Sequence, residues 1–215
     1  MVHMRVCLAS TSPARLMLLR QAGIEPLTVS PDVDEDAVAA AAERERGAAL
    51  APAELVLLLA RAKAAAVAGA LAEEGAFDGL VIGGDSMFEL GGRVYGKPYT
   101  ADEATRRWRE MRAATGILHS GHSVFRVSPG ASPVEATAVA EAAVTFAADI
   151  EDAEIAAYVA SGEPLHVAGA FTVDSLGGAF ITRVDGDPST VVGMSLSTVR
   201  RLAGELGVRW TDLWS

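Results

Sequence analysis

The stretch Leu8 to Arg15, LASTSPAR, passes from a short apolar run through hydroxyls and a proline to an arginine, just where a helical pattern begins. Pro13 suits the first turn of a helix, since its missing N–H costs nothing there and its fixed φ is already helical. Ser12 is then the natural N-cap. Arg15 falls in that first turn, where the helix dipole and unpaired N–H groups are already positive and an acid would be the stabilising choice. A cation so placed requires an anion. A phosphate held by the free N–H groups, the Ser10 and Ser12 hydroxyls and the Arg15 guanidinium would supply it. The alternative is a capped surface helix with its arginine in water.

Sixteen of the eighteen basic residues are arginine, and only Lys63 and Lys97 are lysine. An arginine-rich codon bias accounts for the skew but not for where the two lysines sit. A lysine approaches a phosphate oxygen as a compact point charge, which an arginine does not replace. Lys63 lies in a helical pattern from Pro52 to about Glu74, with Leu55 and Leu59 on the same stripe at i, i+4 and i+8, so the stripe is expected to face inward. A lysine continuing a buried row either snorkels to the surface or points into a polar site.

In LVIGGDSMFELGGRVYGKP, Leu80 to Ile82 reads as a short strand, Gly83 and Gly84 permit close backbone approach, and Asp85 emerges at the strand's carboxyl end. In α/β sheets that edge is where ligands bind. Met87 to Leu90 and Arg93 to Tyr95 form a hairpin about Gly91 and Gly92, which is expected to return Lys97 toward Asp85. Pro98 imposes an extended approach at Lys97. Asp85 alone reads equally well as a turn residue at a strand end.

The elements that must position these groups belong to one large domain or two small lobes, in a chain of 215 residues that is half apolar. No apolar run approaches the roughly 18 residues of a membrane span, and no signal-peptide core is evident, so a cytoplasmic location without membrane partners is expected. The net charge of −10 argues against duplex nucleic acid as a partner, which needs a broad basic face. Cys7, the single cysteine, sits in the first strand pattern, Met4 to Ala9, as a small buried residue. His3, His119, His122 and His166 offer no zinc spacing, and His119 and His122 point to opposite faces of a strand. There is no serine-hydrolase elbow and no Walker loop.

These segments together resemble the Maf-like nucleoside triphosphate pyrophosphatases, also called septum formation inhibitor proteins. The likeness runs through LASTSPARLMLLRQAGIEP, the VDE at Val33 to Glu35, the ARAK ending at Lys63, GGDS, YGKP, YVASGEPLHVAGAFTVDSLGG and DPSTVVGMSL, in the family's order over nearly the whole chain. The resemblance implies an α/β fold, a twisted mixed sheet flanked by helices in two lobes with a deep cleft, as a single domain over residues 1–215, often dimeric. It implies hydrolysis of a nucleoside triphosphate to monophosphate and pyrophosphate with a divalent cation, Mg²⁺ or Mn²⁺. Asp85 matches the proposed general base, and Ser10, Arg15, Glu35, Lys63 and Lys97 match positions lining the same site.

The chemistry is coherent in itself. Water must attack the α phosphorus while charge on the departing pyrophosphate is neutralised, a task for Arg15, Lys63 and Lys97. A hard divalent ion would take oxygens from Asp85 and Glu35 and from the substrate. Asp85 orients the water directly or through the metal. Without the resemblance, Glu35 reads as a solvated acid in the run PDVDED.

Base recognition departs from the better-known branches of the family. Members preferring dTTP and UTP carry arginine, threonine and glutamine where this chain has Ala14, Ser86 and Asp174. The branch acting on 7-methyl-GTP has a bulky residue, glutamine and glutamate there, so only Asp174 is chemically similar. An Asp174 carboxylate accepting from an amino or imino edge would favour guanine or cytosine types. Two functions stay open: this enzyme, with clearing of non-standard nucleotides as its purpose, or a nucleotide-binding regulator of cell division acting through partner contact.

The remaining pattern is scaffold. Thr100 to Glu103 is a capping box opening a helix to about Ala114, with Trp108 and Met111 inward. Ile117 to Val127 and Val134 to Phe146 are long strands forming a hairpin. Asp152 to Ala160 is a helix, and Leu196 to Leu206 another, capped by Ser195.

Overall fold

The VCLA run makes β1 (Arg5–Ala9) a strand buried on both faces, as a central parallel strand must be. In the computed structural model, which describes residues 4–215, β1 pairs in parallel with β2 (Leu27–Thr28) on one side and β3 (Gly79–Leu90) on the other. Cys7 faces Leu27 and Val81 across these pairings. The expectation for His3 lies outside the described residues.

The sheet has seven strands. It continues with β4 (Arg93–Tyr95), β5 (Thr115–Val127), β6 (Val134–Phe146) and β7 (Ile181–Gly186), in the order β2-β1-β3-β5-β6-β7, with β4 paired to β3. Parallel and antiparallel pairings coexist, so this is the expected mixed α/β fold. The helices are α1 (Pro13–Gln21), α2 (Glu35–Arg46), α3 (Pro52–Glu74), α4 (Ala101–Met111), α5 (Asp152–Ala160), α6 (Pro188–Val192) and α7 (Leu196–Glu205).

The chain divides into two compact units. Unit 1 comprises the chain up to Asp85 with Ser120–Ala140 and Gly193–Ser215. One of its apolar clusters joins Cys7, Ala9 and Val81 to Val67 and Ala68 of α3. Unit 2 comprises Ser86–His119 and Glu141–Val192. Its core is aromatic: Phe88, Trp108, Phe146, Tyr158 and Phe171 meet edge-on or tilted, and Trp108 donates its indole N–H to the Ala170 carbonyl at 2.8 Å. Trp108 and Met111 are fully buried, as their helical face predicts.

Three expectations change. β3 is one continuous strand of 12 residues, not a short strand followed by a hairpin arm. Gly83 and Gly84 do not break it. They thin it: a Cβ on Gly83 would lie 2.6 Å from the Ala60 carbonyl oxygen, so the glycine lets α3 rest on the sheet. Second, α3 is a 23-residue helix whose length and composition would allow it to cross a membrane, contrary to the expectation that no run approached that length. Here Val56, Leu59, Ala60, Ala64 and Val67 are buried, and the helix packs on β1 and α2 within unit 1. Alanine-rich core helices pass the same compositional test. Third, α4 ends at Met111 rather than near Ala114, because Ala113 takes a left-handed φ of 62° that no helix continues.

Two elements carry no strand or helix signature in the apolar pattern. α2 buries no residue at all. Half-buried residues pack it on α3, and its ends are well capped: Asp34 caps Ala37 N at 2.9 Å, Glu35 and Asp36 occupy the first turn, Arg44 and Arg46 the last, and Gly47 closes it at φ 74°. β2 is a pair of exposed residues on the sheet edge.

Candidate active site

The end of β1 and the middle of β3 bring the N-terminal motif to the aspartate. Ala9 pairs with Gly83, so Ser10 and Asp85 follow at the end of the parallel register. Ser12 caps α1, accepting from Arg15 N at 3.4 Å, with Pro13 in the first turn, as its sequence predicts. Ser10 Oγ accepts from Ser12 N at 3.1 Å. Beside the helix start lies a cavity of about 230 Å³ bordered by Ser10, Ser12, Thr28 and Ser30, spacious enough for a phosphate.

Arg15 is buried, not waving in water. Its Nε donates to the Gly193 carbonyl at 2.8 Å and its Nη1 to Ser10 Oγ at 3.3 Å. Gly84 leaves room for it, since a Cβ there would meet Nε at 3.2 Å. Burial pushes its pKa down, and the Asp85 and Glu35 carboxylates oppose that shift. The anion that an arginine in a first turn requires is therefore partly supplied by the chain itself.

Lys63 is the hub. Its Nζ lies 2.8 Å from Asp85 Oδ1 and 2.8 Å from Glu35 Oε1. It reaches them because its stripe on α3 faces inward and Gly83 lets the helix approach. Lys63 and Asp85 are buried, whereas the Glu35 side chain is 49% exposed. Glu35 is thus no idle solvated acid: it sits at the start of α2 with its carboxylate on the lysine. Burial raises the Asp85 pKa above the ordinary carboxyl value, with Lys63 and then Arg15 pulling it back and Glu35 adding to the rise.

A buried ion pair seldom adds net stability, because desolvation offsets the attraction. Its presence in a triad of Asp85, Lys63 and Glu35, with Arg15 close enough to feel both acids, is the signature of a site built for charge. The donor set fits one hard divalent ion only in company. Among the described residues no group of three His, Cys, Asp or Glu could hold a metal, so Asp85 and Glu35 would need phosphate oxygens to complete a shell.

The other predicted residues are divided between the two units. Ala14 is half-buried in α1 of unit 1, and Ser86 is half-buried in unit 2. Asp174 and Lys97 are exposed residues of unit 2, and neither forms an ion pair among the described residues. The β3–β4 hairpin forms with Phe88 opposite Tyr95, and Lys97 follows it. His119 and His122 have different partners: His119 lies between Glu89 and Glu141 at 3.0 Å each, while His122 Nε2 accepts from Ser195 N at 2.9 Å. Cys7 is buried and its thiol pKa is pushed up to about 11 by desolvation, far from reactive. Gly193, whose carbonyl anchors Arg15, had no signal in the sequence, being a backbone group 178 residues away.

The model of the family described as Maf-like protein matches residues 5–206. The chain belongs to this family. Every residue of the Ser10, Arg15, Glu35, Lys63 and Asp85 constellation lies in the matched span of this Maf-like chain. A protein of Leifsonia xyli subsp. xyli named nucleoside triphosphate pyrophosphatase is 59% identical over 212 residues, covering 99% of this chain and 97% of that one. Proteins with the same name from Streptomyces avermitilis and Cutibacterium acnes are 51% and 47% identical, covering 98% and 97% of this chain and 95% and 93% of theirs. The solved structure of the Staphylococcus aureus Ham1 protein is 11% identical with a TM-score of 0.31, over 67% of this chain and 72% of that one. That likeness is too slight to carry an argument.

Proposed function

We propose that this Maf-like protein is a nucleoside triphosphate pyrophosphatase, releasing a monophosphate and pyrophosphate by attack of water at the α phosphorus. The observation that carries this reading is the bridging of Asp85 and Glu35 by Lys63 Nζ at 2.8 Å each, in a chain whose relatives bear that name. Asp85 and Glu35 are the residues that would help hold a divalent ion, Mg²⁺ or Mn²⁺, which would supply Lewis-acid polarisation of the phosphate oxygens.

Asp85 takes the proton of the attacking water, a role its raised pKa suits. The water oxygen bonds to the α phosphorus as the bond to the bridging oxygen of the β phosphate breaks, and pyrophosphate departs with that oxygen. Lys63 and Arg15 stabilise the charge that builds up on the departing group, with Ser10 and Ser12 contributing hydroxyls beside the cavity. Lys97 would add a second ammonium, and Asp174 would select the base by accepting from an amino or imino edge, as in guanine or cytosine.

Incubation with the common triphosphates, ITP and XTP, with Mg²⁺, Mn²⁺ or EDTA, tests this. Pyrophosphate with monophosphate is the expected outcome, in the presence of metal only. Orthophosphate with diphosphate would refute the reading, and a preference for UTP or dTTP would refute the role of Asp174.

A further inference from the structure

Glu163 gathers more hydrogen bonds than any structural need of its own short turn, Glu163–His166, explains. Its carboxylate accepts from Tyr158 Oη at 2.9 Å, Thr172 Oγ1 at 2.5 Å, Ser175 Oγ at 2.8 Å, Gly177 N at 3.0 Å and Leu176 N at 3.2 Å. Five donors fill the roughly four lone-pair sites of two oxygens. Four of the five come from residues 172–177, which lead into the 3-10 turn Leu176–Phe180 and have no ladder partner. Gly177 tightens the same turn, since a Cβ there would lie 2.6 Å from Tyr158 Oη and 2.7 Å from the Thr172 carbonyl oxygen.

Asp174 is the exception within this segment. Thr172, two residues before it, and Ser175, Leu176 and Gly177 after it are all tied to Glu163, whereas Asp174 is exposed and makes no hydrogen bond or ion pair among the described residues. An exposed turn of this length would otherwise sample many conformations, each residue retaining its backbone freedom. A carboxylate that is to recognise a base edge must be held to within about 0.5 Å.

We propose that Glu163 is the positioning residue of base selection: it freezes the 172–177 turn so that the Asp174 carboxylate is presented to the nucleobase in one place. The inference rests on the reading of Asp174 as the base-selecting group. Glu163 touches neither base nor phosphate in this scheme. It acts through four donors on the turn, and its effect is on discrimination between bases, not on the chemical step.

The test is the ratio of kcat/KM for the preferred triphosphate to that for UTP, measured in the full-length chain with Glu163→Gln, Asp174→Asn and the double variant. The glutamine Oε1 still accepts but its Nε2 only donates, so Glu163→Gln sets one end of the side chain against donors it formerly bound. The ratio should fall about tenfold, one hydrogen bond's worth of discrimination, mainly through KM, with kcat on saturating UTP within about twofold. Asp174→Asn should flatten the ratio, and Glu163→Gln should then add nothing to it. Should Glu163→Gln fail to fold, Thr172→Val with Ser175→Ala removes two donors and keeps the carboxylate, and should lower the ratio about threefold. A Glu163→Gln effect equal on every triphosphate, or undiminished in the Asp174→Asn background, overturns the proposal alone. A ratio unmoved by Asp174→Asn overturns the base-selecting reading and this proposal with it.

Discussion

Lys63 Nζ stands 2.8 Å from Asp85 Oδ1, a buried lysine on a buried aspartate, and the same ammonium reaches Glu35 at 2.8 Å. Removing the lysine leaves two acids sharing one pocket with only Arg15 to balance them. Lys63→Met should lower kcat by about 10²–10³, the cost of losing one preorganised charge stabiliser, as read by pyrophosphate release. Lys63→Arg should not restore it, because a planar fork cannot replace a point charge between two carboxylates.

The pH profile follows from Asp85. Burial raises its pKa, so the carboxyl holds its proton to a higher pH than an ordinary aspartate. Only the deprotonated form can take a proton from water, so activity falls as pH drops through that raised value. The acid limb of kcat/KM is expected above the usual aspartate range, and Asp85→Asn should cost roughly 10²–10⁴ in rate while nucleotide binding persists in calorimetry. An acid limb at or below the ordinary value would contradict this.

Gly83 is a spacing residue for the lysine. A Cβ there would lie 2.6 Å from the Ala60 carbonyl oxygen and 2.8 Å from Ala64 Cβ, both on α3, which also carries Lys63. Gly83→Ala should destabilise the protein by about 1–3 kcal/mol in denaturant melts. It should also reduce activity beyond what the loss of folded protein explains.

Acid stability tests the Glu163 cluster separately from catalysis. Burial acts to raise the Glu163 pKa, but hydrogen bonds from Thr172, Ser175, Gly177 and Tyr158 outweigh it and hold the carboxyl at about 2, against an ordinary 4.5. A depressed carboxyl pKa contributes stability that is present above pH 4.5 and is lost as pH falls toward 2. Melts of the parent chain should weaken across that window more steeply than those of Glu163→Gln, which has no charge there to lose.

What could be read ahead of the structure was local or periodic. The α1 start was legible because Ser12 and Pro13 are start signals in themselves, and the inward face of Lys63 because Leu59 precedes it by one turn. The continuity of β3 through Gly83–Gly84 is not legible in the chain, since a glycine pair signals a break as readily as a close approach and only the neighbouring helix decides. α2 leaves no apolar periodicity because none of its residues is fully buried. The Arg15 anchor at Gly193 and the five donors on Glu163 escaped for a common reason: backbone groups and hydroxyls brought together by the fold leave no spacing rule in the chain.

In the proposed reaction the charged cluster of Asp85, Lys63, Glu35 and Arg15 directs water to the α phosphorus. Hydrolysis in H₂¹⁸O, with mass analysis of both products, tests it most directly. One ¹⁸O atom is expected in the nucleoside monophosphate and none in the pyrophosphate. Label found in pyrophosphate, or in released orthophosphate, would place the attack on another phosphorus and contradict it.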